Sequence, residues 1–223
     1  MIGILLALQV NNWNEARKDV TREVKILSTL QKDFLANQLI LENAIEQYPG
    51  SIQGLTDKIN IIGTPFEDLS SKKITLITRT GYHSAELIDG SLNAVLSSDQ
   101  LELISNDSLK EALTAFPAQI KRFKTQEANV KRIVLEKHRG ILGSYISLSE
   151  NLSRSEEQRK KFPNLKQRAI ASDFSGLLQD RDYQNVLMDE LMQTRNLHRG
   201  ANNLLQKTKA LENLLSQELD HLQ

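Results

Sequence analysis

The sequence has no cysteine, four prolines, ten glycines and only 5% aromatic residues. Without cysteine there is no disulfide framework, no cysteine nucleophile and no thiolate metal site. The same composition excludes a collagen-like chain. Charge of one sign is not in excess: 28 basic residues stand against 28 acidic ones, so no global field draws the protein toward nucleic acid or anionic lipid. A long hydrophobic run is also lacking. Residues 1–10 (MIGILLALQV) are apolar apart from Gln9, whereas a spanning helix needs about 20 such residues. Nor is there a nucleophile elbow, a phosphate-cradling glycine loop, a dinucleotide fingerprint or a His-Glu-x-x-His zinc motif. No enzymatic activity and no cofactor is read from the sequence. What is present is 223 residues, 39% of them hydrophobic, enough for one domain with a sizeable core.

The start of the chain is its most informative stretch. The apolar residues 1–10 give way at once to Asn11, Asn12, Trp13 and Asn14. At about 1.5 Å rise per residue, such a run covers half a bilayer. A cleavable signal peptide would show a basic leader and a small-x-small site, and neither is there. The abrupt change to Asn, Trp, Glu, Arg and Lys matches the exit face of a membrane helix, with Trp13 at headgroup level. It equally matches the buried first helix of a bundle.

Residues 2–18, IGILLALQVNNWNEARK, resemble a signature of an uncharacterised family of bacterial proteins known mainly from Bacteroidetes, a domain of unknown function. A second block, residues 87–117, is similar to that family through Leu101, Leu103, Ile104, Asn106 and Leu109, although Asp99 and Gln100 stand where a glycine and a lysine are common. The resemblance implies that residues 1–13 are the C-terminal half of a transmembrane helix truncated at Met1. The membrane-facing residues are then Ile2, Ile4, Leu5, Leu6, Leu8 and Val10, with Trp13 at the interface. It also implies a single-pass protein of the bacterial inner membrane with its C-terminal domain in the periplasm. It supplies no activity.

Residues 14–223 read as an all-α, elongated helical bundle with long first and last helices. Residues 14–48 lack Gly and Pro and carry apolar residues at helical spacing, from Val20 and Val24 through Leu27, Leu30 and Phe34 to Tyr48. Pro49-Gly50 is expected to stop this helix, and a shorter one is expected from Ser51 to a loop at Gly63-Thr64-Pro65. Residues 73–80 are expected to be extended or helical. Gly90 and Ser97-Ser98-Asp99 should punctuate short helices. Ser105-Asn106-Asp107-Ser108 supplies a cap ahead of Leu109, with Ser108 and Glu111 forming a capping box, and Pro117 either kinks that helix or begins the next. A helix over residues 118–138 should continue past Gly140 and Gly143 to about Leu148. Residues 151–168 read as a polar loop. The last helix, from about Asp180 to Leu222, carries a seam at Leu197, Ala201, Leu204, Thr208, Leu211, Leu215 and Leu222 that closes within the chain or between chains.

Candidate chemistry is sparse. His83, His138, His198 and His221 are scattered. Glu218 and His221 share a helix face, but a carboxylate-bridged metal site needs a second such pair, so a solvated helix end is expected and no metal. Asp180 and Asp182 suit the positive end of a helix dipole. Seven bases within residues 118–139 (Lys121, Arg122, Lys124, Lys131, Arg132, Lys137 and Arg139) face only Glu127 and Glu136, and are expected to pair with the acidic last helix rather than with nucleic acid. The resulting expectation is a membrane-anchored extracytoplasmic helical interaction or scaffold module. Its partners would be the lipid bilayer and a protein of the cell envelope or a second copy. The alternatives are a ligand-sensing helical domain and, less favoured, a hydrolase or metalloenzyme.

Overall fold

The structure is a computed structural model that describes residues 2–153, 156–164 and 170–222, with no side chains for residues 2–7 and 151–153. It is helical, and no strand occurs among the described residues. The helices are α1 (Ile2–Ile61), α2 (Ser71–Thr78), α3 (Gly90–Leu96), α4 (Asp107–Arg132), α5 (Arg139–Tyr145), α6 (Leu148–Ser153), α7 (Glu156–Lys161), α8 (Phe174–Gln179) and α9 (Arg181–Leu222). The first and last are long, at 60 and 42 residues. A π-helical turn, Ile133–His138, joins α4 to α5.

The chain divides into two compact units. The first comprises Met1–Ile45, Ala85–Lys124 and Gly200–Gln223. Its core is aliphatic, with Leu27, Leu30, Leu41, Leu113 and Leu215 almost fully buried and Phe34 edge-on to Phe116 at 4.9 Å. Buried polar side chains hold its non-helical segment. Asn37 donates from Nδ2 to the Ile88 carbonyl and accepts the Ile88 amide on Oδ1, both at 2.7 Å. Glu23 accepts the Ser105 amide at 2.6 Å and its hydroxyl at 2.8 Å. The cap of α4 is Asn106, whose Oδ1 accepts the Leu109 amide at 3.0 Å, not the Ser108 box. Glu218 accepts from Asn106 Nδ2 at 2.6 Å, so it is a buried anchor of that cap and not part of a solvated helix end. The seam of α9 closes within the chain: Ala201, Leu204, Thr208, Leu211 and Leu215 are all buried.

The second unit comprises Glu46–Ser84 and Thr125–Arg199. Pro49 does not stop α1, which runs on to Ile61. A proline inside a helix costs about 3 kcal/mol. Burial of Tyr48, Leu55 and Ile61 outweighs it, each contributing roughly 1.5–3 kcal/mol. The helix ends where expected, at Gly63, the only described glycine with positive φ (83°), and the Thr64 amide bonds back to the Ile61 carbonyl at 2.9 Å. Residues 71–78 are helical because Ser70 caps them, its side chain accepting the Lys73 amide. Pro117 likewise lies inside α4. Within the expected polar loop, residues 156–161 form α7, with Glu156–Lys160 and Glu157–Lys161 pairs one turn apart. Arg154, Lys166 and Arg168 lie outside the described residues. The core of this unit gathers Leu55, Ile77, Ile133, Leu142, Phe174, Leu177 and Leu187.

Candidate ligand-binding site

The second unit contains a cleft of about 470 Å³. One wall is α1, where Tyr48, Ser51, Leu55 and Lys58 recur at helical spacing and Gly50 and Gly54 leave the backbone bare. The facing wall is α9, through Glu190, Thr194 and Leu197, with Val130 of α4 beside them. The fourth side is the irregular segment 79–83, together with Leu76 at the end of α2. A Cβ at Gly50, Gly54 or Gly81 would meet nothing within 4 Å, so these glycines keep space open and do not accommodate a close neighbour.

Charged groups are buried at one end of the cleft. Lys58 is only 5% exposed, and its Nζ donates to the Arg79 carbonyl. Burial lowers its amine to about 8, with Glu190 working against that shift and Arg79 adding to it. Glu190 is 4% exposed and accepts from His138 Nδ1 at 2.6 Å. His138 is fully buried, and its ring centroid lies 5.8 Å from that of Tyr183. The π turn brings His138 here: the Arg139 amide reaches back five residues to the Val134 carbonyl, turning the chain beyond α-helical phase. Thr194 donates to the Glu190 carbonyl at 2.7 Å.

Three buried polar atoms of this unit make no hydrogen bond among the described residues: Tyr48 OH, His138 Nε2 and Tyr183 OH. Burial pushes both phenols well above the usual tyrosine range, assisted by Glu127 for Tyr48 and by Glu190 for Tyr183. Orphaned buried donors are rare in folded proteins and need a reason. Tyr48, whose ring tilts against His198 at 6.0 Å, lines the cleft.

No protein-family model, curated protein or solved structure matches this chain. The reading of the site therefore rests on its own geometry.

The residues expected to face a membrane are not part of the cleft. Leu8, Val10 and Trp13 lie on α1 and are 53%, 63% and 66% exposed. The side chains of Ile2, Ile4, Leu5 and Leu6 lie outside the described residues. Among the described residues no helix is long and apolar enough to cross a membrane, and no group of three or more His, Asp or Glu could hold a metal ion. His221 is exposed and is not among the residues that line the cleft.

The basic stretch 118–139 pairs with α9 only in part. Lys137 meets Asp189 at 3.5 Å, and His138 meets Glu190. Further partners lie in the segment before α3: Lys124 bonds Asp89 at 2.7 Å, Lys131 sits 5.7 Å above the Tyr82 ring, and Arg139 bonds Thr80 at 3.1 Å. Asp180 does cap α9, its Oδ1 accepting the Asp182 and Tyr183 amides at 2.6 and 2.9 Å. Its Oδ2 takes the Tyr145 hydroxyl at 2.5 Å, a bond that holds the carboxyl below the usual range and raises the phenol.

The sequence reading did not single out Lys58 as functional. A signal existed: Lys58 lies three residues from both Leu55 and Ile61, in an apolar row where a charge must be buried or the row broken.

Proposed function

We propose that this chain is a ligand-sensing helical module held at a bacterial membrane by its N-terminal segment. The observation that carries the ligand reading is the cleft of the second unit. It combines a volume in the range of small-molecule sites with a buried lysine and with a buried tyrosine hydroxyl that makes no hydrogen bond among the described residues. A buried amine is costly, and proteins retain such groups where they act. A small-molecule thermal-shift screen on the full chain tests it, run beside Gly54→Trp, whose indole would fill the open space at Gly54. Compounds that stabilise the parent protein and leave the variant unmoved are the expected result. A screen without any such compound would overturn the sensing reading.

Membrane attachment is supported by the apolar run at residues 1–10 and by Leu8, Val10 and Trp13, which the first unit leaves exposed. The family resemblance adds the inner membrane and a periplasmic domain. Replacement of Leu8 and Val10 by Asp in cells should release the protein from the membrane fraction; unchanged retention would refute the anchor. A C-terminal phosphatase fusion should be active if the domain is periplasmic.

A second reading, an interaction or scaffold module, is favoured by two exposed apolar pairs one helical turn apart. These are Leu35 and Leu39 of α1 in the first unit, and Met188 and Met192 of α9 in the second. An envelope protein or a second copy of the chain would be the partner. Loss of co-purifying or self-associated material on Leu35→Lys plus Leu39→Lys would support it.

A further inference from the structure

The cleft specifies more than the presence of a ligand. Tyr48 is 1% exposed, and its hydroxyl makes no hydrogen bond among the described residues. Lys58 is almost as buried, and its ammonium, with three protons to donate, is seen giving one to the Arg79 carbonyl. Both side chains line the cleft. They stand ten residues apart on one helix, about 15 Å along its axis at 1.5 Å per residue. Between the two donors the lining is mostly apolar or bare, through Gly50, Gly54, Leu55, Val130 and Leu197, with the Ser51 and Thr194 hydroxyls as its small polar groups.

The charges are unequal along this length. Lys58 and Arg79 share the end at which Glu190 is the carboxylate, and Glu190 is already engaged by His138 Nδ1. With Glu190 ionised, that end still has one surplus positive charge. The surplus sits on Arg79, exposed at the rim beside the buried Lys58 ammonium; a cationic head would add to it, a neutral one would leave it to solvent, and one anionic oxygen group would pair with it.

We propose that the cleft binds an amphipathic monoanion, a carboxylate on an apolar chain, with its head between Lys58 and Arg79 and its chain over Gly54 and Leu55. The Tyr48 hydroxyl donates to a polar group at the distal end of the ligand. This rests on the sensing reading above and narrows it to one ligand class.

Calorimetric titration of the full chain tests it with four probes: decanoate, ω-hydroxydecanoate, decanol and decylamine, all below their aggregation limits. Decanoate is expected to bind, and decanol and decylamine to bind roughly tenfold or more weakly, as expected when a charge-assisted hydrogen bond is lost. Lys58→Met should weaken decanoate by a similar factor, and Arg79→Gln, on the exposed rim, by less. Tyr48→Phe should weaken ω-hydroxydecanoate and leave decanoate unchanged, a pattern that general damage to the fold would not give. Decanol or decylamine binding as tightly as decanoate would overturn the anionic head, and so would undiminished decanoate binding to Lys58→Met. If Gly54→Trp then still abolished binding of the uncharged probe, the sensing reading would survive. Undiminished binding of every probe to Gly54→Trp would put the binding outside the cleft and defeat both.

Discussion

The two units treat their most deeply buried charges differently, although Asp33 Oδ2 and Gln38 Nε2 of the first unit also make no hydrogen bond among the described residues. In the first, Glu23 and Glu218 are enclosed, but each is met by donors at the start of α4, from Ser105 and Asn106. These carboxylates replace the missing partners of a helix terminus, a structural task. In the second, Lys58 has a carbonyl for a partner, Glu190 has one imidazole nitrogen, and the Tyr48 and Tyr183 hydroxyls and the His138 Nε2 have none among the described residues. Partly satisfied polar groups cost stability. Saturated buried charge therefore marks architecture, and unsaturated buried charge beside a cleft marks a site.

The sharpest way to break this contrast is to remove one charge from each unit. Glu23→Leu leaves the Ser105 amide without its acceptor and the Ser105 hydroxyl with only the longer contact to Glu218 Oε1, and should destabilise the protein by roughly 1–3 kcal/mol in urea unfolding. Lys58→Met should do the reverse. A lowering of the amine from 10.5 to about 8 corresponds to about 3 kcal/mol of burial cost. The Arg79 carbonyl left behind returns part of it, so a net gain of about 1–2 kcal/mol at pH 7 is expected. A loss of stability in this variant would show that Lys58 is architectural after all.

The gain should also depend on pH in a defined direction. Below about pH 8 Lys58 is protonated in both folded and unfolded chains, and its cost is complete. Between about 8 and 10.5 the folded state loses the proton first, the unfolded state binds more protons, and stability rises with pH. Around Lys58 the other groups are Glu190, Arg79, His83, His138 and Tyr48. The raised phenols of Tyr48 and Tyr183 act in the opposite direction once free tyrosine ionises, near pH 10. The difference between the parent protein and Lys58→Met should therefore shrink from pH 8 to 10, measured as paired urea midpoints. A constant difference would mean that the amine is not buried as a cation.

The smallest effect is expected at the cleft wall. Gly54→Ala adds a methyl group that meets nothing within 4 Å and removes a flexible residue from α1. It should stabilise by about 0.5–1 kcal/mol in thermal unfolding, while the same change should weaken ligand binding if the space is used.

Much of the helical plan was legible from periodicity. Residues 14–48, the loop at Gly63 and the last helix follow apolar spacing that no tertiary contact had to override. Pro49 misled because its cost is local, whereas the burial of Tyr48 and Leu55 that offsets it is not written near it in the chain. The cap of α4 was legible as the segment Ser105-Asn106-Asp107-Ser108, but the capping box at Ser108 lies two residues late, because Ser108 and Asn106 are both good caps and Glu218, more than a hundred residues away, bonds Asn106. The site was less legible still. Lys58, His138 and Glu190 belong to no motif, and they meet through three separate helical segments. Only their places in apolar rows hinted at burial.

The π turn at Ile133–His138 amounts to one residue of slack wound into an otherwise α-helical path. Val134, His138 and Leu142 follow one another at intervals of four, and Ile146, just past the end of α5, continues the series; all are buried. An uninterrupted α-helix would drift by about 40° at each such step. A chain one residue shorter in this stretch could keep ordinary hydrogen bonding throughout, but it would swing everything beyond the deletion by about 100° and turn the imidazole away from Glu190. The length of the chain here, counted to the single residue, is thus part of what sets the charge of the cleft.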